Sequence, residues 1–359
     1  MGIGLYIHIP FCQSRCGYCD FATYTYQEDH LDRYCKALSY EMNQVPSKVI
    51  DTLFLGGGTP TVLSVKQIES LFSNLRSHHK WDGLSEATVE ANPESATEER
   101  LLAFQREGIN RLSFGIQDSH DRLLKSMDRL HSWDQGREVF QKARSLNFNN
   151  INLDLIFGLP GQSLSDWDQT LIDVMGLGPE HISLYALKIE SGTPFDKAGI
   201  TVDQDLQADM YIRASEILTR EGYDHYEISN FAKPGFACQH NLKYWKNEET
   251  MGLGLSAASF LDGERRTNPR GLWEYIEGME PQGDLNPSLV RLSPEDREKE
   301  DVMLGLRLKE GVPYHQIEKM CLPIFQSFID QKLAFIQDDR YVLNPKGWLL
   351  SNQLFQFLI

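Results

Sequence analysis

No apolar run in this chain approaches the roughly 20 residues that a membrane-spanning helix requires. Its first residues, MGIGLYIHIPF, enter a strand with neither a basic region nor a cleavage pattern. A cytoplasmic address is therefore expected, with peripheral association with a membrane left open. Basic residues are in deficit: 35 Lys and Arg face 51 Asp and Glu, a formal net charge of −16. That balance argues against a phosphate-tracking surface, so no nucleic acid is expected among the partners. Internal repeats and low-complexity tracts are lacking too. With 41% hydrophobic and 24% charged residues, the composition is that of a folded globular protein. A length of 359 residues allows one large domain and a smaller appended one.

Cysteine is also scarce, and its distribution is uneven. Of the six, Cys12, Cys16 and Cys19 crowd into eight residues, while Cys35, Cys238 and Cys321 are scattered. Random placement would give such a cluster in about two chains per thousand, and the pattern is unlike a secreted disulfide framework. Metal binding is the better reading. A structural zinc ion needs a fourth ligand, from His8 or Cys35. His8 lies in a strand and Cys35 in a probable helix, so zinc is disfavoured. A 4Fe-4S cluster normally takes four cysteines; with three, one iron stays open to a small molecule, and S-adenosylmethionine (SAM) suits such a position.

Short β-rich runs alternate with helical stretches through the first half. Residues 5–9, 51–55, 87–91, 111–117, 151–159 and 181–189 read as strands; 28–45, 64–77, 96–107, 133–146 and 163–175 read as helices, with Ser64 and Thr97 as start signals. The expected fold is α/β: a partial (β/α)6 TIM-type barrel, because the chemically interesting residues fall at the C-terminal ends of successive strands. A helix near 205–221 and a Gly-punctuated region then close the open side of the barrel. Pro281, Gly283 and Pro287 mark a linker. Beyond it, a helix starting at SPEDREKE and a hairpin in LAFIQDDRYVL suggest a small C-terminal helical, winged-helix-like domain. The expected divisions are 1–200, 201–285 and 286–359.

The CxxxCxxC loop after the first strand, with Tyr18 before the last cysteine, resembles that of radical SAM enzymes. In those enzymes an electron from the cluster cleaves SAM to a 5′-deoxyadenosyl radical. The string LYIHIPFCQSRCGYCDF narrows the likeness to the group related to oxygen-independent coproporphyrinogen III oxidase (HemN). The resemblance implies that Cys12, Cys16 and Cys19 hold the cluster. It further implies that Gly57, Gly58 and Thr59 of LGGGTPT receive the SAM amino group, and that Tyr6, Glu90, Gln117, Arg129, Asp154 and Ala258 contact SAM. Consecutive glycines suit close backbone approach to a ligand. Asp154, flanked by Leu153, Leu155 and Ile156, needs a polar partner if buried, and Arg129 is the candidate.

Within this group, the oxidases carry a further cysteine where Phe21 stands, and an N-terminal extension; only four residues precede the first strand here. YEISNFA and His240-Asn241-Leu242-Lys243-Tyr244-Trp245 resemble the HemW-type haem chaperones instead. Taken from residues alone, HNLKYW reads as a strand packing its aromatics into the core. The likeness assigns His240, Tyr244 and Trp245 to haem, for which an imidazole and aromatic faces are compatible chemistry. It also implies transfer of haem to acceptor proteins such as respiratory haem enzymes, and a homodimer. The alternative reading is anaerobic oxidative decarboxylation of coproporphyrinogen III. Cys238, Cys35 and Cys321 are expected to be buried thiols.

Overall fold

A computed structural model of the protein describes residues 2–81, 83–280, 283–320 and 323–358. Pro281 of the expected linker and Cys321 lie outside the described residues.

Six strands appear in the expected order: β1 (Ile3–Ile9), β2 (Ile50–Gly57), β3 (Glu86–Ala91), β4 (Arg111–Gln117), β5 (Ile151–Phe157) and β6 (His181–Ala186). Each pairs in parallel with the next. The crossovers carry α1 (Glu28–Gln44), α2 (Val65–His78), α3 (Glu98–Arg106), a short α4 (Asp121–Ser126), α5 (Trp133–Ser145) and α6 (Leu164–Leu177). Ser64 forms a full capping box with Gln67, and Thr97 accepts from the Arg100 N–H. Outward-facing aliphatics, Leu5 and Ile7, Leu53 and Leu55, Leu153 and Leu155 among them, are fully buried against these helices. At about 1.5–3 kcal/mol for each such side chain, this layer supplies the main driving force for the barrel.

The inward positions are different. Thr52, Glu86, Thr88, Glu90, Arg111, Ser113, Asn152, Asp154, His181 and Ser183 alternate with those aliphatics along their strands. Strand register sets Glu90 beside Ser113, Ser113 beside Asn152, and Asp154 beside Ser183. Barrel interiors are ordinarily filled by branched aliphatics; a polar interior marks a lumen in use.

After α7 (Gln204–Arg220), the hairpin β7 (Asp224–Glu227) and β8 (Asn230–Ala232) joins antiparallel to β6. On the opposite edge, β9 (Thr250–Leu253) pairs parallel with β1, and β10 (Ala258–Leu261), β11 (Glu264–Thr267) and β12 (Ser288–Arg291) follow antiparallel. The sheet thus grows at both edges, with β12 and β7 at its two ends, and among the described residues these ends are not paired with each other.

HNLKYW is not a strand. Residues Gln239–Trp245 form a helix, α8, because Glu86 of β3 accepts from the backbone N–H groups of Gln239 and His240 at 3.0 Å each. A carboxylate at that end satisfies the free amides of the first turn and suits the helix dipole. The C-terminal part contains helices Pro294–Gly305, Tyr314–Met320 and Pro323–Asp330 and a three-stranded sheet. The expected hairpin is present as Ala334–Gln337 and Arg340–Leu343. Asp338 and Asp339 turn it at φ 49° and 60°, as a two-residue type I′ connection requires. No helix among the described residues is long and apolar enough to cross a membrane.

Candidate functional site

The cysteine loop is pinned at its base. Phe11–Cys12 pairs with Tyr24–Thr25, and the Tyr26 N–H donates to the Cys12 carbonyl at 2.8 Å. His8 Nε2 donates to the Ala22 carbonyl at 3.0 Å, which leaves Nδ1 to accept from the Tyr6 hydroxyl at 2.9 Å. Burial pulls His8 down to about 4, so the imidazole is held neutral.

All three thiols line one cavity of about 330 Å³ at the C-terminal ends of the barrel strands. Thr59 Oγ1 donates to Cys12 Sγ at 3.4 Å, and Arg129 Nη1 to Cys16 Sγ at 3.5 Å. Burial lifts the Cys12 thiol to about 11 and raises Cys19; ligation as thiolates therefore releases protons. Among the described residues no set of three or more His, Cys, Asp and Glu side chains is gathered around a point as ligands of one ion; the thiols instead face a shared space. Cys35 lies on α1 beside a separate groove, pushed up to about 12 by burial. Cys238 is buried and donates to Glu86 Oε1 at 3.2 Å.

Gly57, Gly58, Glu90, Gln117, Arg129 and Asp154 line the same cavity. Glu90 accepts from the Gly57 N–H at 3.0 Å, and burial followed by the charge of Asp154 lifts its carboxyl to about 7. Gly57 has φ 104°, a conformation that favours glycine. Gln117 ends β4 with φ 71°, and its Oε1 is buried without a partner. Asp154 was expected to pair with Arg129, and it does not. It accepts from Ser113 Oγ at 3.0 Å and Asn152 Nδ2 at 2.8 Å, while burial raises its pKa. Arg129 is turned to Asn92 Oδ1 at 2.7 Å, the Gly115 carbonyl at 2.6 Å and Cys16. A guanidinium on the loop after α4 stands next to the cysteine loop, while the acid's own sheet neighbours satisfy it first.

Sequence reading missed Asn92, which donates to Thr59 Oγ1 at 2.8 Å and so joins the glycine loop to Arg129. It also missed Ser113, Asn152 and Tyr185; polar residues at alternate positions of buried strands were the available signal. Thr59 lies behind Cys12. Tyr6 lines a second cavity beneath the first, and Ala258 is exposed at the start of β10, outside the lining of either cavity.

The structure does not bring His240, Tyr244 and Trp245 to the cysteines. Helix α8 crosses the N-terminal end of the barrel: its Lys243 Nζ reaches Asp51 at 3.0 Å, and His240 Nδ1 is hydrogen-bonded to Thr52 Oγ1 at 3.0 Å. His240 Nε2 meets the Tyr244 hydroxyl at 3.0 Å, and the ring stacks on Phe54. The imidazole is 0% exposed and pulled down to about 3, chiefly by burial. Trp245 Nε1 is buried without a partner.

The cavity's donor set fits a cluster and SAM: three thiols on one wall, a buried cation beside them, a backbone cradle, and unpaired Gln117 Oε1 and Arg129 Nε within reach of a ligand. Comparison with known proteins agrees. The Radical SAM superfamily model matches residues 6–174. "Heme chaperone HemW" of Lactococcus lactis subsp. lactis is 34% identical over 98% of this chain and 96% of its own length. The protein of the same name in Bacillus subtilis is 35% identical over 98% and 97%. Among solved structures, coproporphyrinogen III oxidase (HemN) from Escherichia coli, a radical SAM enzyme, superposes with a TM-score of 0.85 at 24% identity, over 99% of this chain and 90% of that one; this likeness shows a shared fold. By end-to-end similarity the chain belongs to the HemW family of heme chaperones, built on the radical SAM fold.

Proposed function

We propose that the protein binds haem and delivers it to acceptor proteins such as respiratory haem enzymes, using a 4Fe-4S cluster and SAM. The observation that carries this reading is the near-full-length match to proteins named heme chaperones, joined to Phe21, a phenyl ring 65% exposed at the cavity mouth, where the oxidases have a cysteine. We assign the cluster to Cys12, Cys16 and Cys19. SAM we assign to Gly57, Gly58, Glu90, Gln117, Arg129 and Asp154 in the cavity and, on the resemblance alone, to Tyr6, Thr59 and Ala258, which do not line it. When bound, the cluster supplies a redox-active open iron for SAM. The chain's own part is positional: Arg129 offsets thiolate charge, Gly57 and Gly58 allow backbone approach, and Glu90 and Asp154 offer acceptors at the cavity floor.

For haem, we assign His240, Tyr244 and Trp245 a role that requires α8 to move. Axial ligation by His240 must break its bonds to Thr52 and Tyr244. The division at residues 200 and 285, a homodimer, and work in the cytoplasm, with peripheral membrane contact during delivery, belong to the same proposal. Anaerobic reconstitution tests it, with haem titration, transfer to an apo-haem enzyme, and a porphyrinogen-oxidase assay on one sample. Saturable haem binding and transfer are expected; protoporphyrinogen formed at a catalytic rate would instead identify an oxidase.

A further inference from the structure

Beneath the cluster cavity lies a second, of about 190 Å³. The two share Glu90, Ser113, Asp154 and Tyr185 as floor and roof. Its lower wall is Arg111 from β4 together with His240, Asn241 and Tyr244 from α8. Tyr185 and Tyr244 keep 44% and 37% of their surface exposed; both line this lumen, so the space is open to a solvent-sized guest.

Arg111 is the anomaly. It is 2% exposed, yet its guanidinium forms no hydrogen bond or ion pair among the described residues, and Nε is buried unpaired. A buried charge without partners is costly. The surrounding acids are turned elsewhere: Glu86 to Cys238 and the α8 amides, Asp154 to Ser113 and Asn152, Glu90 to the Gly57 N–H. Asn241, from the opposite wall, also has no side-chain hydrogen bond. Burial raises both Glu90 and Asp154, so the carboxyls above the lumen repel an anion less than two full charges would.

We infer that the barrel lumen is a binding site for a small carboxylate, held by the unpaired guanidinium of Arg111 with Asn241 opposite. The planar donor fork of arginine matches a carboxylate through two parallel hydrogen bonds. The volume admits acetate or a small amino acid and excludes a macrocycle. This site is separate from the three thiols; because His240, Asn241 and Tyr244 of α8 form its lower wall, a movement of α8 toward haem would open it, and the test is therefore run on haem-free protein.

Crystals of the reconstituted protein grown without carboxylate buffers and soaked in sodium acetate test the inference directly. The expected result is planar density within hydrogen-bond distance of Arg111 in the wild type, lost in Arg111→Met. Ordered water alone beside Arg111, or acetate retained in Arg111→Met, would overturn it. Because Arg111→Met removes a buried side chain, Asn241→Ala provides a second arm. Thermal melting in acetate against chloride at equal ionic strength is expected to rise by roughly 2 °C for the wild type and less for Asn241→Ala. No acetate-specific rise in the wild type counts against the site.

Discussion

His240 Nε2 and the Tyr244 hydroxyl lie 3.0 Å apart within one turn of α8, and the other ring nitrogen is held by Thr52 of β2. The imidazole therefore fastens the helix to the barrel, and no face is free for an axial bond in this conformation. His240→Ala removes both hydrogen bonds and the stacking on Phe54, so a stability loss of about 2–4 kcal/mol is expected by chemical denaturation. Thr52→Val removes one bond and keeps the imidazole. If His240 also serves haem, His240→Ala weakens haem transfer while Thr52→Val, with a loosened helix, binds haem at least as fast as the wild type. Equal slowing in both variants would reduce the residue to a structural role.

Cys16 faces the cavity and accepts from Arg129, whereas Cys35 sits on α1 beside another groove. After anaerobic reconstitution, Cys16→Ser should lose most acid-labile sulfide and the absorbance of the cluster. Cys35→Ser should keep both. Retention of full sulfide by Cys16→Ser would overturn the ligand assignment.

The outer layer of the barrel was legible because apolar runs of strand length alternate with capped helices; the Ser64 capping box and the Asp338-Asp339 turn are local chemistry that sequence states openly. The cysteine triplet was legible for the same reason. Helix α8 was not. Its N-terminal amides are met by Glu86, 153 residues away from Gln239 in sequence, and no local pattern in CQHNLKYW announces that partner. Asp154 illustrates a second limit. Arg129 was the obvious counter-charge, but short polar side chains, Ser113 on the neighbouring strand and Asn152 two residues back on the same one, reach an inward acid before a loop arginine can.

Gly58 is where the glycine loop packs directly on main-chain atoms at the end of β1 and beyond it. A Cβ there would stand 2.7 Å from the Ile9 carbonyl oxygen and 2.8 Å from the backbone N and O of Phe11. These are main-chain atoms leading into Cys12 and cannot step aside as a side-chain tip would. Gly58→Ala should thus displace the cysteine loop and the SAM cradle together. SAM affinity measured by calorimetry on the reconstituted protein is expected to fall by at least about tenfold, near 1.4 kcal/mol. Gly161, with open space around it, offers a control for handling but has φ 73°, so its own alanine variant should cost stability without touching SAM affinity. Unchanged SAM affinity in Gly58→Ala would show that the loop is not the cradle.

Glu227 closes β7 fully buried, with neither carboxylate oxygen in a well-formed hydrogen bond. Burial lifts its pKa from 4.5 to about 7, with Ser229, Asn230, Arg307 and Trp245 pulling the other way. The folded state therefore binds this proton more tightly than the unfolded chain. The stabilising contribution is fully present below about pH 4.5, declines as pH rises, and is gone above about 7. Glu227→Gln keeps the size and removes the titration. The variant should match the wild type near pH 5 and exceed it near pH 8 by about 1–3 kcal/mol in denaturant-derived stability. Taking the difference between variant and wild type cancels the parallel titration of Glu90 in the same window. Two stability curves running parallel from about pH 5 to 8 would mean that Glu227 is hydrated or paired in solution, and that the hairpin β7–β8 does not hold a protonated acid.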